Sequence, residues 1–242
     1  VFILDGKKPV LICGFSPEEG FPAARLFTDG LLDKGIVPPP IARAAGKPEP
    51  DAINFALEKE HPPEGYRIDI STGGIVIGAS NPAGLFHGAM TFLQIVAQTG
   101  RNLPCLAISD APSFEVRGFY HDISRGKIPT LTTMKLLVEK ASRYKLNQIQ
   151  FYVEHVFAFR THPAIWKGAD VLTPEEVLEL DEYARSLHVD LVPSLASFGH
   201  MYEILQNPMY AHLAELRNFD TSKQPLWKNR MEHHTIDVSN EE

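Results

Sequence analysis

The stretch that decides the fold is 117-RGFYHDISRGKIPTLTTMKLLVEKASRYKLNQIQFYV-153. Residues 117–123 and 147–153 each predict a strand. Between the two runs, apolar residues recur at helical spacing: Leu131, Met134, Leu137, Val138, Ala141 and Tyr144. A strand, a helix and a second strand in this order predict a parallel pair joined by a crossover helix.

The same alternation continues toward the end of the chain. Thr173-Pro174-Glu175-Glu176 combines a capping box with a proline at the first helical position, and it predicts a helix that ends near Leu187. Residues 189–196 then predict a third parallel strand. Residues 203–216 predict a helix in two pieces broken at Pro208, and the polar segment 218–242 predicts irregular structure.

The first hundred residues have a different rhythm, in which short β-like runs alternate with one clear helix. Residues 66–70 and 75–79 flank a Ser-Thr-Gly-Gly turn and predict a hairpin. Asn81 opens the helix and Gly100 is a suitable stop signal. The change of rhythm divides the chain into a predicted α+β domain, residues 1–112, and a predicted α/β domain, residues 113–242.

The length of the second half limits the architecture. A complete (β/α)₈ barrel takes roughly 250 residues, whereas residues 113–242 supply only 130. Three parallel strands with crossovers are compatible with an interrupted barrel and with a small doubly wound domain. Periodicity alone leaves both alternatives open.

The charge and motif content exclude several function classes. The formal net charge is -7 and no long run of like charge occurs, so nucleic acid and anionic membranes are disfavoured as partners. Apolar runs are too short to cross a bilayer, so we expect a soluble chain whose compartment stays open, with secretion and the periplasm among the options. Metal-ligand and glycine-rich phosphate motifs are absent, so we expect no metal and no cofactor. Cys13 and Cys105 are expected to be buried free thiols, with one disulfide as the minority alternative.

Residues 108–118, ISDAPSFEVRG, contain a D-x-P-x-F-x-x-R-G run directly before the first predicted parallel strand. This run resembles the junction that leads into the first barrel strand of glycoside hydrolase family 20, the β-N-acetylhexosaminidases. Residues 65–94 resemble the domain that precedes the barrel. Residues 122–125 resemble its D-x-x-R, residues 145–147 its K-x-N, and residues 198–200 its P-G-H with Phe in place of Pro. The resemblance implies an N-terminal α+β domain followed by an incomplete (β/α)₈ (TIM) barrel.

The departures from the family pattern are equally informative. The H-x-H-L-x-D-D segment is replaced by residues 150–155, QFYVEH, and P-E-x-D is replaced by residues 193–196, PSLA. The catalytic Asp-Glu pair that follows the fourth strand of the family is not found, so the catalytic residues are unknown. The resemblance therefore implies a parent protein that hydrolyses terminal N-acetylhexosamine by substrate-assisted retaining catalysis, of which this chain alone is inactive.

Two alternatives to that function remain. One is a carbohydrate-binding module or pseudoenzyme, in which the replaced acids mark a pocket that recognises sugar without cleaving it. The other is an acetamido-sugar hydrolase of a neighbouring barrel family. A further consequence concerns partners, because the apolar third strand needs a neighbour. We expect the remainder of a barrel, a second copy of the chain or the segment from Asn218 to cover it.

Four residues are candidate sugar ligands. The resemblance implies that Arg117 donates hydrogen bonds to sugar hydroxyls, and a salt bridge at the domain junction is the alternative. Glu154 and His155 follow the second strand, and His200 follows the third. Because barrel enzymes place working residues at the carboxyl ends of strands, we expect Arg117, Glu154 and His200 to converge there. The alternatives are that His155 begins an ordinary loop and that His200 caps a helix.

Other residues near the same strand ends are weaker candidates. Asp122 and Arg125 share this position, but a structural ion pair explains them equally well. Among the aromatic residues, Tyr152 and Trp166 are the candidates for stacking on a sugar ring.

Overall fold

The computed structural model describes residues 1–44, 46–216 and 234–241. The chain divides into two compact units, Val1–Glu115 and Val116–Glu242. The boundary expected from the sequence, after residue 112, lies close to this division. Each unit has mixed α/β structure.

The first unit contains eight strands and two helices among its described residues. In chain order they are β1 (Phe2–Ile3), β2 (Val10–Cys13), α1 (Pro17–Leu32), β3 (Ile41–Ala44), β4 (Ile53–Leu57), β5 (Tyr66–Ser71), β6 (Gly74–Ala79), α2 (Pro82–Thr99), β7 (Asn102–Leu103) and β8 (Leu106–Asp110). Six strands form a mixed sheet in the order β3-β2-β4-β6-β5-β8, and β1 pairs with β7. The second layer comes from the helices, which pack against each other and against this sheet.

The predicted hairpin and the helix after it are confirmed. β5 and β6 are antiparallel with Ile70 opposite Ile75, and the side chains of β5 alternate between buried and partly exposed. α2 begins after Asn81, whose side chain accepts a hydrogen bond from the Gly84 amide. It ends at Gly100, whose φ of 64° is readily adopted by glycine.

The expectation of one clear helix in this half is wrong, because α1 is a second one. Its start carries a capping box, in which the Ser16 side chain bonds the Glu19 amide and the Glu19 side chain bonds the Ser16 amide. Pro22 and two glycines inside the helix obscure the pattern in the sequence. The glycines allow close packing, since a Cβ at Gly20 would lie 2.5 Å from Ile12 Cγ2.

The second unit alternates strands and helices as predicted. Its elements are β9 (Gly118–Asp122), α3 (Leu131–Arg143), β10 (Gln148–Val153), α4 (Pro163–Trp166), α5 (Pro174–Ser186), β11 (Asp190–Leu195), α6 (Tyr202–Leu205) and a 3₁₀ turn at Ala211–Leu213. The strands are parallel in the order β11-β10-β9. The predicted capping box at Thr173 is present at the start of α5.

The end of this unit contains two short helical pieces, as predicted. They are α6 and the 3₁₀ turn at Ala211–Leu213, and together they cover only part of the predicted helical range 203–216. Pro208 lies between them, and the missing amide hydrogen of proline explains the interruption. Of the predicted irregular segment 218–242, residues 218–233 and 242 lie outside the described residues. Residues 234–241 return to the unit through an isolated bridge between Ala214 and Ile236.

The core of the second unit lies on one side of its sheet. Ile149, Phe151 and Leu191 pack with Val138 of α3 and Leu180 of α5. The alternate side chains of the strands point to the opposite face, because successive residues of a strand face opposite sides. They include Tyr120, Gln150, Tyr152, Val192 and Ser194. Within the described part of the chain, β9 and β11 each pair only with β10.

The two cysteines differ in their exposure to solvent. Both cysteines are free thiols, but only Cys13 is buried, so the expectation of burial is wrong for Cys105. Cys105 lies in the short connection between β7 and β8, where its apolar neighbours do not enclose it. Among the described helices, none combines the length and apolar character needed to cross a membrane.

Candidate functional site

The carboxyl ends of the three parallel strands of the second unit bring polar side chains together. Tyr152 of β10 lies opposite Asp122 of β9 and Ser194 of β11. Arg125 follows β9, Glu154 follows β10, and His200 follows β11. The parallel register therefore places these loops at one edge of the sheet.

An ion pair between Arg125 and Glu154 forms the centre of this site. Arg125 Nη1 lies 2.5 Å from Glu154 Oε2. The other carboxylate oxygen accepts a hydrogen bond of 2.8 Å from the Tyr152 hydroxyl. The Glu154 side chain is 5% exposed, whereas that of Arg125 is 41% exposed. The pair thus buries its anion and leaves part of its cation accessible.

The charges of this pair shift the pKa values of its neighbours. The hydrogen bond to Glu154 raises the pKa of the Arg125 guanidinium further above its usual range, so this group stays cationic. Burial, followed by the hydrogen bond to Glu154, raises the pKa of the Tyr152 hydroxyl. Tyr152 therefore stays a neutral donor to the carboxylate at ordinary pH. The Arg125 guanidinium also lies 5.9 Å from the centre of the Tyr152 ring.

The turn after β9 orients the guanidinium. The Ser124 amide and hydroxyl both donate to Asp122 Oδ1, at 2.8 and 2.7 Å. Arg125 Nη1 in turn donates to the Ser124 oxygen at 2.8 Å. Asp122 itself is 3.9 Å from Arg125 Nε. The expected Asp122–Arg125 ion pair is therefore the weaker contact, because Arg125 pairs mainly with Glu154.

His200 joins the site through Arg125. Arg125 Nη2 donates a hydrogen bond of 3.0 Å to His200 Nδ1. Because a guanidinium can only donate, Nδ1 is the acceptor in this contact and the ring proton lies on Nε2. Glu154 Oε1 is 3.8 Å from the same nitrogen, which is too far for a hydrogen bond. Glu154 thus acts on His200 through the guanidinium. The imidazole is 65% exposed and its Nε2 remains a possible donor to a ligand.

Arg117 lies elsewhere, and the expectation that it converges with Glu154 and His200 is wrong. It precedes β9, where its Nε donates to the Lys145 carbonyl and its amide donates to the Asn147 side chain, both at 2.8 Å. The strand register puts Glu154 seven residues further along the sheet than Arg117, a distance of about 23 Å at 3.3 Å per residue. Arg117 is at the amino end of the strand, and Arg125 occupies the position at its carboxyl end.

His155 and Trp166 do not take part in the Arg125 contacts that the structure describes. The Nδ1 atom of His155 is buried without a hydrogen-bond partner among those residues. The residue lines a neighbouring cavity of about 200 Å³ whose walls include Lys127 and Asp170. The Trp166 indole, at the end of α4, donates to the Phe159 carbonyl at 2.9 Å. Of the two aromatic candidates, Tyr152 is therefore the one at the site.

Sequence reasoning underrated Arg125 and missed His234. Arg125 was detectable, because it closes the D-x-x-R motif at the carboxyl end of a predicted strand. His234 stacks on the His200 ring, with centroids 5.8 Å apart, across a large separation in sequence. No cluster of His, Cys, Asp and Glu within the described residues could hold a metal ion.

The first unit matches a known family model, and longer parts of the chain are similar to several curated proteins. The family described as "Glycosyl hydrolase family 20, domain 2" matches residues 16–111. The β-hexosaminidase of Vibrio furnissii is 28% identical over 162 residues, which cover 56% of this chain and 26% of that protein. The β-hexosaminidase of Porphyromonas gingivalis is 23% identical over 226 residues, covering 82% of this chain and 28% of the relative. The chain therefore spans about a quarter of the length of these relatives.

Solved structures show the same fold. The GH20 β-N-acetylhexosaminidase from Streptomyces coelicolor A3(2) has a TM-score of 0.78 at 22% identity, covering 99% of this chain and 51% of that one. The GH20 exo-β-N-acetylglucosaminidase from Vibrio harveyi, in complex with N-acetylglucosamine, has a TM-score of 0.76 at 18% identity. This match covers 98% of the present chain and 39% of the Vibrio chain.

Proposed function

The chain is a divergent member of glycoside hydrolase family 20, and from that premise we propose that it supplies the sugar-binding edge of a β-N-acetylhexosaminidase. The parent protein would remove terminal N-acetylhexosamine from glycans. The observation that carries the proposal is the Arg125–Glu154–His200 cluster at the carboxyl ends of parallel strands. This is the edge where barrel enzymes bind their substrates.

The chemistry of the cluster suits a neutral sugar. The Arg125 guanidinium carries several N–H donors, and part of its side chain is accessible to solvent. Glu154 and His200 hold its Nη1 and Nη2 in a fixed orientation. Glu154 balances its charge, so the pair does not present a net positive charge that would favour an anionic ligand. His200, whose side chain is exposed, adds a second donor through its Nε2. Tyr152 adds an aromatic surface beside the guanidinium. Directional donors beside an aromatic ring match the hydroxyls and the apolar face of a pyranose.

We further propose that residues 1–112 form the non-catalytic domain of hexosaminidase type and that residues 113–242 form the first three βα units of a TIM barrel. Two features of the second unit support this. Its helices pack on one face of a parallel sheet, and β11 has one strand neighbour among the described residues. An apolar cavity of about 450 Å³ beside β11 includes Leu178, Leu191 and Leu195. Further chain of the parent protein is our first choice to cover this edge, and a second copy is the next.

The proposed reaction is substrate-assisted retaining hydrolysis, in which the acetamido group of the sugar is the nucleophile and one protein acid suffices. Glu154 is not suited to be that acid, because its two oxygens already accept from Arg125 and Tyr152. We propose that the acid and its neighbouring Asp lie outside these residues and that the 242-residue chain alone does not hydrolyse substrate. Hydrolysis of a chromogenic N-acetylglucosaminide by the chain, abolished in Glu154→Gln, would overturn this.

A binding protein without hydrolytic activity is the second candidate. It is favoured by the third strand, where Ser194 occupies the position of a family acid and its hydroxyl lies 3.3 Å from the Tyr120 hydroxyl. Both candidates need the same sugar site. Activity of the full-length gene product on the chromogenic substrate separates them, because binding without turnover supports this second candidate.

The test of the sugar site compares two arginine variants. Arg125→Gln removes the guanidinium group at the site. Arg160→Gln removes the guanidinium of an exposed arginine that is paired with Glu175 at 3.4 Å. Binding of N-acetylglucosamine is measured by titration calorimetry, with circular dichroism as a check of folding. Hydrogen bonds from a charged donor contribute about 1.5–3 kcal/mol, so Arg125→Gln should weaken binding by about 10- to 100-fold. Arg160→Gln should bind like the wild type, and a folded Arg125→Gln variant with unchanged affinity would refute the proposed site.

A further inference from the structure

The backbone of His200 has an unusual conformation. Its φ is 60°, in the left-handed region that is unfavourable for residues with a Cβ. Such a conformation persists only where the surroundings hold it, and it is often found at functional sites. The side chain of this residue is the one that accepts from Arg125. The structure must therefore contain contacts that fix this loop.

Residues 234–236 supply those contacts. The His200 amide donates to His234 Nδ1 at 3.3 Å, and the next amide, of Met201, donates to the His234 carbonyl at 2.9 Å. On the other side of the loop, the Ile236 amide donates to the Phe198 carbonyl at 3.0 Å. The two imidazoles are stacked with an angle of 27° between their planes. Residues 234–236 thus hold the His200 loop at both ends.

This holding segment is itself anchored in the second unit. The Glu215 amide donates to the Thr235 carbonyl at 3.0 Å, and the Asp237 amide donates to the Leu213 carbonyl at 2.8 Å. These two bonds flank the bridge between Ala214 and Ile236. The position of His234 is therefore fixed by backbone pairing that does not depend on the ring.

We propose that His234 is a positioning residue, whose ring fixes the conformation of His200 and keeps its Nδ1 on Arg125. The inference deepens the proposed sugar site and rests on it for the role of His200 in binding. It goes beyond that site because it assigns a role to a side chain that touches neither Arg125 nor Glu154 in the described contacts. The acceptor role requires an unprotonated Nδ1 on His234, with the proton on Nε2.

The contacts of this imidazole pair place a hydrogen-bond donor at Nδ1 of each ring. His200 faces the Arg125 guanidinium, with Glu154 3.8 Å from its Nδ1 and the Tyr152 ring 6.3 Å away, edge to face. The Thr235 hydroxyl lies 3.4 Å from His234 Nδ1. A proton on that nitrogen would meet the His200 amide hydrogen, so it would break the hydrogen bond that holds the loop.

Two variants separate the ring acceptor from general effects of substitution. His234→Asn keeps an acceptor near the position of Nδ1, and His234→Ala removes it. His162→Ala is the matched control, because this histidine lies in the same unit and contacts Tyr210. Imidazole ¹⁵N NMR of His200 is the first measurement. We expect the His200 Nδ1 acceptor signal to shift in His234→Ala and to stay unchanged in the other two variants.

The second measurement is the affinity for N-acetylglucosamine. We expect a loss of about 3- to 10-fold in His234→Ala and less than about 2-fold in His234→Asn, as for loss of one neutral hydrogen bond. An unaltered His200 signal in His234→Ala would overturn the inference. In the wild-type protein, a protonated Nδ1 on His234 would overturn it without any variant. If the wild type binds no sugar, the proposed function fails, while the ¹⁵N signals still decide whether His234 positions His200.

Discussion

Removing either partner of the Arg125–Glu154 ion pair should lower the free energy of unfolding, but by unequal amounts. Arg125→Met leaves a carboxylate that is 5% exposed, with Tyr152 as its remaining donor, whereas Glu154→Gln leaves a guanidinium that is 41% exposed and can regain water. Breaking a buried pair costs about 3–5 kcal/mol, and the Tyr152 bond places Arg125→Met near the lower limit, at about 3 kcal/mol. Partial exposure reduces the cost of Glu154→Gln to about 1 kcal/mol.

The double variant sharpens this prediction. Arg125→Met with Glu154→Gln removes both charges, so it should be more stable than Arg125→Met alone by more than about 1 kcal/mol. Urea unfolding followed by tryptophan fluorescence measures these differences, since Trp166 lies in the same unit. The exposed pair Arg160–Glu175 is the control, and either single substitution there should cost less than about 0.5 kcal/mol. Equal costs for the two central variants, or a double variant that is simply additive, would refute the reasoning.

Three further predictions concern the first unit. Gly84→Ala should destabilise by about 1–3 kcal/mol in urea unfolding, because the new Cβ would lie 2.4 Å from the Gly65 carbonyl oxygen, whereas Gly73→Ala, with its nearest atom at 3.9 Å, should be neutral. Burial and the hydrogen bond to Asp110 raise the pKa of the Tyr66 hydroxyl. The stability that Tyr66 contributes is therefore complete below the ordinary tyrosine pKa of about 10 and is lost as the pH rises above that value. The stability gap between wild type and Tyr66→Phe should therefore narrow as pH rises past about 10, and a constant gap would contradict this. A thiol reagent should label Cys105 rapidly and Cys13 only on unfolding, since Cys13 is buried and burial raises the pKa of its thiol; rapid labelling of both would be inconsistent with the fold.

Local signals were sufficient for much of the second unit. The capping box at Thr173 and the apolar period of residues 131–141 each lie within one helix, so they can be recognised without tertiary information. Tyr144, which was expected on the apolar face of α3, is its C-cap and is exposed. α1 was missed because Gly20, Pro22 and Gly30 are helix breakers in isolation. The two glycines are needed because they allow close packing, of Gly20 against Ile12 of β2 and of Gly30 against Leu93 of α2. These contacts join residues that are far apart in the sequence, so no local pattern reveals them.

The candidate site could be predicted only in part. Glu154 and His200 follow directly from their positions after predicted strands. The placement of working residues at the carboxyl ends of strands excludes Arg117, which precedes its strand, and favours Arg125, which follows the same strand. Arg117 was nevertheless expected at the site because it belongs to the more specific sequence motif. That motif serves the amino end of the sheet, through bonds to Lys145 and Asn147. The contact between His200 and His234 joins residues 34 positions apart and has no local signal.

The most direct test of the sugar-binding site is a crystal structure of the protein with N-acetylglucosamine. We predict that the sugar lies at the carboxyl ends of β9, β10 and β11, with a ring hydroxyl within hydrogen-bond distance of the Arg125 guanidinium and the His200 Nε2. Glu154 should remain paired with Arg125 behind the sugar. A sugar bound at Arg117, or one bound away from these strand ends while the Arg125–Glu154 pair stays free of ligand, would contradict the assignment.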